Sequence, residues 1–157
     1  SKSDISKFFS NYYNEINIYK NHKKLMIEKY IQGRELTVSV YENEKTTQAV
    51  EVTEIFSSRS FFDYKAKYTK GLSKHILPAK LPKKMYEQCL SLAMVVHNEL
   101  GCRGISRSDF LCDEENIYFL EINTQPGLTP ISLVPEQLRH KNIDFDTLIK
   151  RIIESSL

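Results

Sequence analysis

The sequence predicts an α+β domain, an antiparallel sheet whose helices are segregated from its strands rather than alternating with them. Two apolar segments, residues 104–112 and 116–123, flank Asp113-Glu114-Glu115 and read as a hairpin. A second antiparallel group, residues 35–41 and 46–55, precedes them and turns at Glu42-Asn43-Glu44. Helical spacing of apolar residues is confined to the start, to one segment between the two groups, and to the end.

In chain order, Ser3 or Asp4 reads as an N-cap, and Ile5, Phe8, Phe9, Tyr12, Tyr13, Ile16 and Tyr19 recur as one wide apolar face. Asn21-His22 breaks that helix. Residues 24–31 are a short apolar run with Glu28 and Lys29 embedded, expected to form a buried strand whose end emerges into a pocket. Gly33 turns the chain into the strands at 35–41 and 46–55. Between residues 57 and 80 no period holds, and the aromatics, lysines, Gly71 and Pro78 there make a long loop of the kind that usually carries function. Leu81-Pro82 opens a helix with proline in its tolerant first turn. Met85, Cys89, Leu92, Ala93, Val96 and Leu100 form the expected core face of that helix, and Gly101 stops it. After the hairpin and Pro135, short helices at 136–140 and 144–155 close the chain. Asp144 or Asp146 caps the second, with Leu148, Ile149, Ile152 and Ile153 inward.

At 157 residues the chain suffices for one domain with its own core, or for one domain and part of another. It begins Ser-Lys-Ser-Asp without a methionine, which suggests a piece of something longer. A net charge of +2 with scattered lysines argues against nucleic acid as a partner. There is no apolar run long enough for a membrane span and no secretory signal at the start, so the expected location is cytoplasmic. Cys89, Cys102 and Cys112 are odd in number, lack metal-ligand spacing and sit among apolar residues as small core hydrophobes do. His22, His75, His97 and His140 are isolated and read as surface or helix residues.

The chemistry-bearing stretch is Arg107-Ser108-Asp109 followed by Glu121-Ile122-Asn123-Thr124-Gln125-Pro126-Gly127. Residues two apart on a strand share a face, so Arg107 goes with Asp109 and Glu121 with Asn123. If Asp109 lies opposite Glu121, then Arg107 lies opposite Asn123 and Cys112 opposite Tyr118. An odd loop of about three residues, or a bulge, gives that register, whereas a two-residue turn separates the carboxylates. Cross-strand Cβ atoms about 4.5–5.5 Å apart let two carboxylates share a divalent cation. An Asp, Glu and Asn set suits Mg²⁺ or Mn²⁺ on nucleotide phosphates, and the arginine suits phosphoryl charge. The same alternation also describes the solvated face of a half-buried sheet. In favour of a site stands the tail Asn-Thr-Gln-Pro-Gly, a turn whose backbone amides can approach a ligand.

Four segments, in order, resemble the ATP-grasp superfamily and within it the D-alanine–D-alanine ligase family. They are Met26-Ile27-Glu28-Lys29-Tyr30-Ile31-Gln32-Gly33-Arg34-Glu35-Leu36-Thr37-Val38, Phe62-Asp63-Tyr64-Lys65-Ala66-Lys67-Tyr68, Gly101-Cys102-Arg103-Gly104-Ile105-Ser106-Arg107-Ser108-Asp109-Phe110, and Phe119 onward through Glu121-Ile122-Asn123-Thr124-Gln125-Pro126-Gly127-Leu128-Thr129-Pro130-Ile131-Ser132-Leu133-Val134-Pro135. The resemblance implies the ATP-grasp fold, with residues 1–31 ending a central subdomain, residues 32–157 forming the C-terminal ligase domain, and the N-terminal D-alanine-binding domain outside this chain.

It further implies that Glu28 and the backbone of Lys29, Tyr30 and Ile31 hold adenine, with Phe61 and Leu120 on its faces, and that Glu35 accepts from the ribose hydroxyls. Lys67 would set a charge on the ATP phosphates and Tyr68 would reach the substrate side. Asp109, Glu121 and Asn123 would hold two Mg²⁺ or Mn²⁺ ions, with Glu121 bridging, and Arg107 would stabilise the transferring phosphoryl. The Gly127 amide would serve an oxyanion, and Ser132 with the Leu133 amide would bind the carboxylate of a second D-alanine. Taken alone, Glu28-Lys29 also reads as an exposed edge pair, Lys67 as a solvated charge and Ser132 as a helix cap.

The implied reaction is ATP-dependent joining of two D-alanines through an acyl phosphate, for peptidoglycan precursors, in an enzyme expected to be a homodimer. The family's first-substrate domain and its Gly/Ser-rich phosphate loop are not in these residues, so the chain alone is expected to have little ligase activity. Ser106 and Ser108 stand where small or apolar residues are more usual. Rival readings are another ATP-grasp carboxylate–amine ligase, a D-alanine–D-lactate form, which Tyr68 disfavours, and a non-catalytic nucleotide-binding module.

Overall fold

A computed structural model describes residues 28–42, 46–57 and 73–155, together with Ser3, Ser6 and Lys7. It divides into two compact units, Ser1–Tyr30 and Ile31–Leu157. In the first, Ser3, Ser6 and Lys7 are helical, and residues 28–30 are exposed without regular structure. The rest of the expected first helix lies outside the described residues, as do residues 24–27 of the run expected to be a strand. Where that run is described, at 28–31, no strand forms.

The second unit is built from β1 (Arg34–Glu42), β2 (Thr47–Ser57), β3 (Ser73–Ile76), α1 (Lys83–Glu99), β4 (Ile105–Cys112), β5 (Ile117–Asn123), α2 (Leu133–His140) and α3 (Phe145–Ser155). The five strands form one sheet in the order β3-β2-β1-β4-β5, and every neighbouring pair is antiparallel. The α+β expectation holds. Strand β3 falls inside the stretch read from sequence as loop; four residues are too short to show a period, and pairing with the end of β2 is what makes them a strand.

The sheet is covered on both faces, and alternation along the strands sorts the residues. Leu36, Val38, Val40, Val52, Phe110 and Cys112 pack with Cys89 and Ala93 of α1. Tyr41, Val50 and Ile105 pack on the opposite face with Val134 and Leu138 of α2 and Leu148 of α3. Central strand β1 is buried from both sides, so its run Leu36-Thr37-Val38-Ser39-Val40-Tyr41 is buried without interruption.

The helices depart from expectation in detail. Pro82 is the N-cap of α1, one residue ahead of its first turn. Its buried stripe runs through Cys89, Ala93 and His97, with Met85, Leu90 and Met94 beside it. Leu92 and Leu100 are 37 % and 62 % exposed, the first lying about 100° round the helix from Ala93 and the second past the helix end. Helix α2 starts at Leu133, before Pro135, because a proline in the first turn forfeits no intrahelical bond. The Asp144 carboxylate caps α3, accepting from Thr147 N–H at 2.7 Å and Thr147 Oγ1 at 3.1 Å, which holds it below the usual carboxylate range. Ile153 is exposed, against expectation.

Buried His97 meets Ser106 Oγ at 2.7 Å, so one of the two unusual serines serves as a partner inside the α1 face. The other, Ser108, has a buried hydroxyl without a hydrogen-bond partner. Burial lowers the His97 pKa from 6.5, against a smaller opposing pull from Glu42. Below pH 6.5 the unfolded chain takes up a proton that folded His97 resists, so stability is full above that pH and declines as pH falls toward the folded value. The lowered carboxyls Asp113 and Asp144 act in a separate window, below 3.8. His97→Gln is expected to flatten the change in urea midpoint between pH 7.5 and 5.5; an unchanged slope would assign it to other groups.

Candidate functional site

Three strands bring the polar residues together on the face away from α1. Asp109 pairs with Thr37 of β1 on one side and Glu121 of β5 on the other. Arg107 pairs with Ser39 and Asn123 in the same way. The register expected for both charged pairs is therefore present. It does not extend to Cys112, which lies opposite Ile117 rather than Tyr118, because the register shifts between Asp109 and Phe110.

The shift is a bulge, and it matters for the site. Phe119 pairs with Phe110 and meets it edge-on at 5.9 Å, so it belongs to the α1 side. Alternation from Phe119 turns Leu120 to the other face, and the pairing of Glu121 with Asp109 puts Glu121 there too. Two consecutive side chains, one apolar and one acidic, thus share the polar face. The hairpin closes through Asp113, whose carboxylate accepts from Glu115 N–H at 2.9 Å, Asn116 N–H at 2.7 Å and Tyr118 Oη at 2.9 Å. The first two of these hold Asp113 below the usual carboxylate range.

Asp109 is held from two directions. The Arg107 guanidinium grips it with Nε–Oδ1 at 3.0 Å and Nη2–Oδ2 at 2.9 Å, and the Thr37 hydroxyl donates to Oδ1 at 2.6 Å. Arg107 and Asp109 are 14 % and 18 % exposed, so the pair is partly withdrawn from water yet open on one side. Asn123 Oδ1 accepts from Gln125 N–H at 2.9 Å and keeps a second lone pair, while its turn starts the segment to Gly127. Among the described residues no cluster of three or more His, Cys, Asp or Glu side chains forms. The donor set is instead two facing carboxylates and an amide, all hard oxygens, which fits a magnesium-class ion rather than zinc.

Beyond Asn123 the chain folds back at residues 129–132. Ser132 N–H donates to the Thr129 carbonyl at 2.9 Å, and Ser132 Oγ accepts from Thr129 N–H at 3.1 Å. Ser132 stands at the N-cap position of α2, yet its hydroxyl makes no capping bond. Gly127 packs so closely that a Cβ there would lie 2.9 Å from Ser132 Oγ. Gly127 and Ser132 therefore lie side by side at the start of α2, with Leu133 as the first helical residue.

Of the remaining candidates, Ile31 and Glu35 are half-buried at the start of the second unit, and Leu120 is 50 % exposed. Glu28, Lys29 and Tyr30 belong to the first unit and are exposed. Phe61, Lys67 and Tyr68 lie outside the described residues. Sequence reasoning did not single out Thr37; its signal was alternation with Glu35, but its place beside Asp109 depends on pairing across 72 positions. No helix among the described residues is long and apolar enough to cross a membrane.

Residues 10–154 match the family model described as D-ala D-ala ligase C-terminus. The chain belongs to this family. It is similar to the D-alanine–D-alanine ligase of Zymomonas mobilis, with 47 % identity over 91 % of the chain and 44 % of that protein. The D-alanine–D-alanine ligase of Caulobacter vibrioides is 46 % identical over 85 % of the chain and 42 % of its own length. The chain thus spans less than half the length of these ligases.

Solved ligases of the family share the fold. The Vibrio cholerae D-alanyl-alanine synthetase A superposes with a TM-score of 0.69 at 31 % identity, over 82 % of this chain and 40 % of that one. The Bacillus anthracis D-alanine–D-alanine ligase complexed with ATP gives 0.65 at 30 %, over 82 % and 41 %. The fold is accordingly that of the ATP-grasp ligases.

Proposed function

We propose that this chain supplies the C-terminal half of the active site of a cytoplasmic ATP-dependent D-alanine–D-alanine ligase. The observation that carries the reading is the register of the β4–β5 pair, which sets Arg107, Asp109, Glu121 and Asn123 on one face beside Thr37. In this reading residues 1–31 end the central ATP-grasp subdomain and residues 32–157 form the ligase domain; the division of contacts at Tyr30 and Ile31 supports it.

Joining two amino acids through an acyl phosphate requires one carboxylate to attack a terminal phosphate, so two anions must approach. Neutralising that charge is the main task of the site. Asp109, Glu121 and Asn123 would hold two Mg²⁺ or Mn²⁺ ions with Glu121 shared, and bound ions there would supply charge neutralisation and phosphate orientation. Thr37 fixes the rotamer of Asp109 for that task. The planar fork of Arg107 suits the equatorial oxygens of the transferring phosphoryl.

The hinge from Glu28 through Lys29, Tyr30 and Ile31 would take the adenine edge, Glu35 the ribose, and Leu120 with Phe61 the ring faces. The bulge supports the assignment of Leu120, because it turns an apolar side chain onto the carboxylate face. Lys67 would meet the phosphates and Tyr68 the substrate. The close grouping of Gly127 and Ser132 at the start of α2, next to Leu133, suits the other half of the reaction. A backbone N–H at Gly127 can donate to the oxyanion formed when the second amine attacks, and Ser132 with the Leu133 amide at a helix start can bind a carboxylate.

Calorimetry of Mg-ATP binding to Glu121→Ala tests this reading. Affinity is expected to fall at least about tenfold, the loss of one charged ligand. Unaltered binding would favour a structural module indifferent to that carboxylate.

A further inference from the structure

Gln137 is fully buried on α2, and all of its amide chemistry is directed at the sheet. Its Oε1 accepts from Ser39 N–H at 2.9 Å, while Nε2 donates to the Thr37 carbonyl at 3.1 Å and to Thr53 Oγ1 at 2.9 Å. These partners stand where the β1–β2 register shifts between Val38 and Val40. Val38 pairs with Val52 and Val40 with Ala49, so Val50 and Glu51 both oppose Ser39. A bulge interrupts the ladder there, and buried backbone groups that lose ladder partners need others. A side-chain amide offers an acceptor and two donors in one plane, which neither an apolar side chain nor a carboxylate can match.

The same helix closes the other side of the bulge. Lys141, the C-cap four residues after Gln137, reaches Glu51 Oε2 at 2.9 Å, while Glu51 Oε1 accepts from Val52 N–H at 3.1 Å. Apolar contacts through Val134 and Leu138 bury α2 but tolerate small slides; the Gln137 bonds are directional and do not. They tie α2 to Thr37, whose hydroxyl holds Asp109. Ser132 and Leu133, one turn earlier on α2, are thereby fixed relative to the carboxylate face.

We infer that Gln137 is a positioning residue for the acceptor-carboxylate subsite, setting where the amino end of α2 stands relative to β1. This rests on the proposed role of Ser132 and Leu133. The test is steady-state kinetics of the intact protein with Gln137→Met, a near-isosteric change without hydrogen bonds, and with the milder Thr53→Val. The expected result is a KM for the second D-alanine raised about tenfold in Q137M, which loses three hydrogen bonds, and about threefold in T53V, which loses one. kcat and the KM for ATP stay within about twofold, whereas a general loosening of the fold would move all three. Unchanged acceptor KM in both variants, or equal rises for ATP and acceptor, would overturn the inference; if Q137M does not fold, T53V alone decides. Ser132→Ala separates the two levels. If S132A leaves acceptor KM unmoved, the subsite reading fails; if S132A raises it while Q137M and T53V do not, only the role of Gln137 fails.

Discussion

Arg107→Ala, made in the intact ligase that the proposed function describes, is expected to slow ATP-dependent ligation by about a thousandfold, the lower range for removing an arginine from a transferring phosphoryl. The reasoning starts from the ion pair. Arg107 spends Nε and Nη2 on Asp109, yet both residues keep an open side, so the guanidinium can serve a phosphoryl group without leaving its strand. Were the pair only a stabilising contact, its loss would appear in the unfolding midpoint and not in the rate. Arg107→Lys separates charge from geometry, because an ammonium is a point donor that cannot reproduce the two-pronged grip. It should recover no more than about tenfold of the lost rate. Single-turnover measurement of phosphoryl transfer, with midpoints recorded alongside, is the check. A rate for R107A within tenfold of the parent, with the midpoint lowered, would reduce Arg107 to a structural ion-pair partner.

Local pattern carried the hairpin a long way. Two-residue spacing put Arg107 with Asp109 and Glu121 with Asn123, and only a register that kept the carboxylates facing made chemical sense of both. The structure has that register. The sequence could not say where the odd residue goes, because a three-residue loop and a bulge satisfy the same parity. The bulge, with a loop at residues 113–116, is the answer, and it moves Leu120 onto the polar face. Residues whose roles depend on distant partners were harder to read. Thr37 lies 72 positions from Asp109 and Gln137 lies 84 to 100 positions from the groups it bonds, and nothing near either announces those partners. His97 was read as isolated for a different reason: Ser106 is only nine residues on, but the two meet through packing of α1 on β4 rather than within one element. Strand β3 escaped because pairing, not composition, makes it a strand. Arg34, half-exposed, grips the buried Glu54 carboxylate through Nε and Nη2 and also donates to the Lys80 carbonyl at 2.8 Å. This joins the start of β1 to the entry of α1, a long-range contact that only the sheet order makes possible.

Phe110→Ala should be the most destabilising single change on the opposite face, costing about 3–5 kcal/mol from lost burial and the cavity left behind. Phe110 is wholly buried beside Leu36, Val38, Cys89 and Ala93, and its ring meets Phe119 edge-on. It also stands immediately after the register shift, so the Phe110–Phe119 contact is the first fixed point beyond the bulge. A slip of one residue there would carry Glu121 off the face it shares with Asp109. Stability and site geometry are therefore linked through this ring, which packs on the sheet face opposite Asp109 and Glu121. With total stabilities of about 5–15 kcal/mol for such domains, the alanine variant should sit near its unfolding threshold. Phe110→Leu, which keeps most of the volume, should retain more than half of what alanine loses. Val95→Ala, at a position 52 % exposed on α1, should change stability by no more than about 0.5 kcal/mol. Urea titrations of the three variants check the order, with equal m-values required for the midpoints to be compared. An F110A loss as small as that of V95A would mean that the β4–β5 register is held by the strand ladder and Asp113 loop alone, without help from the aromatic pair.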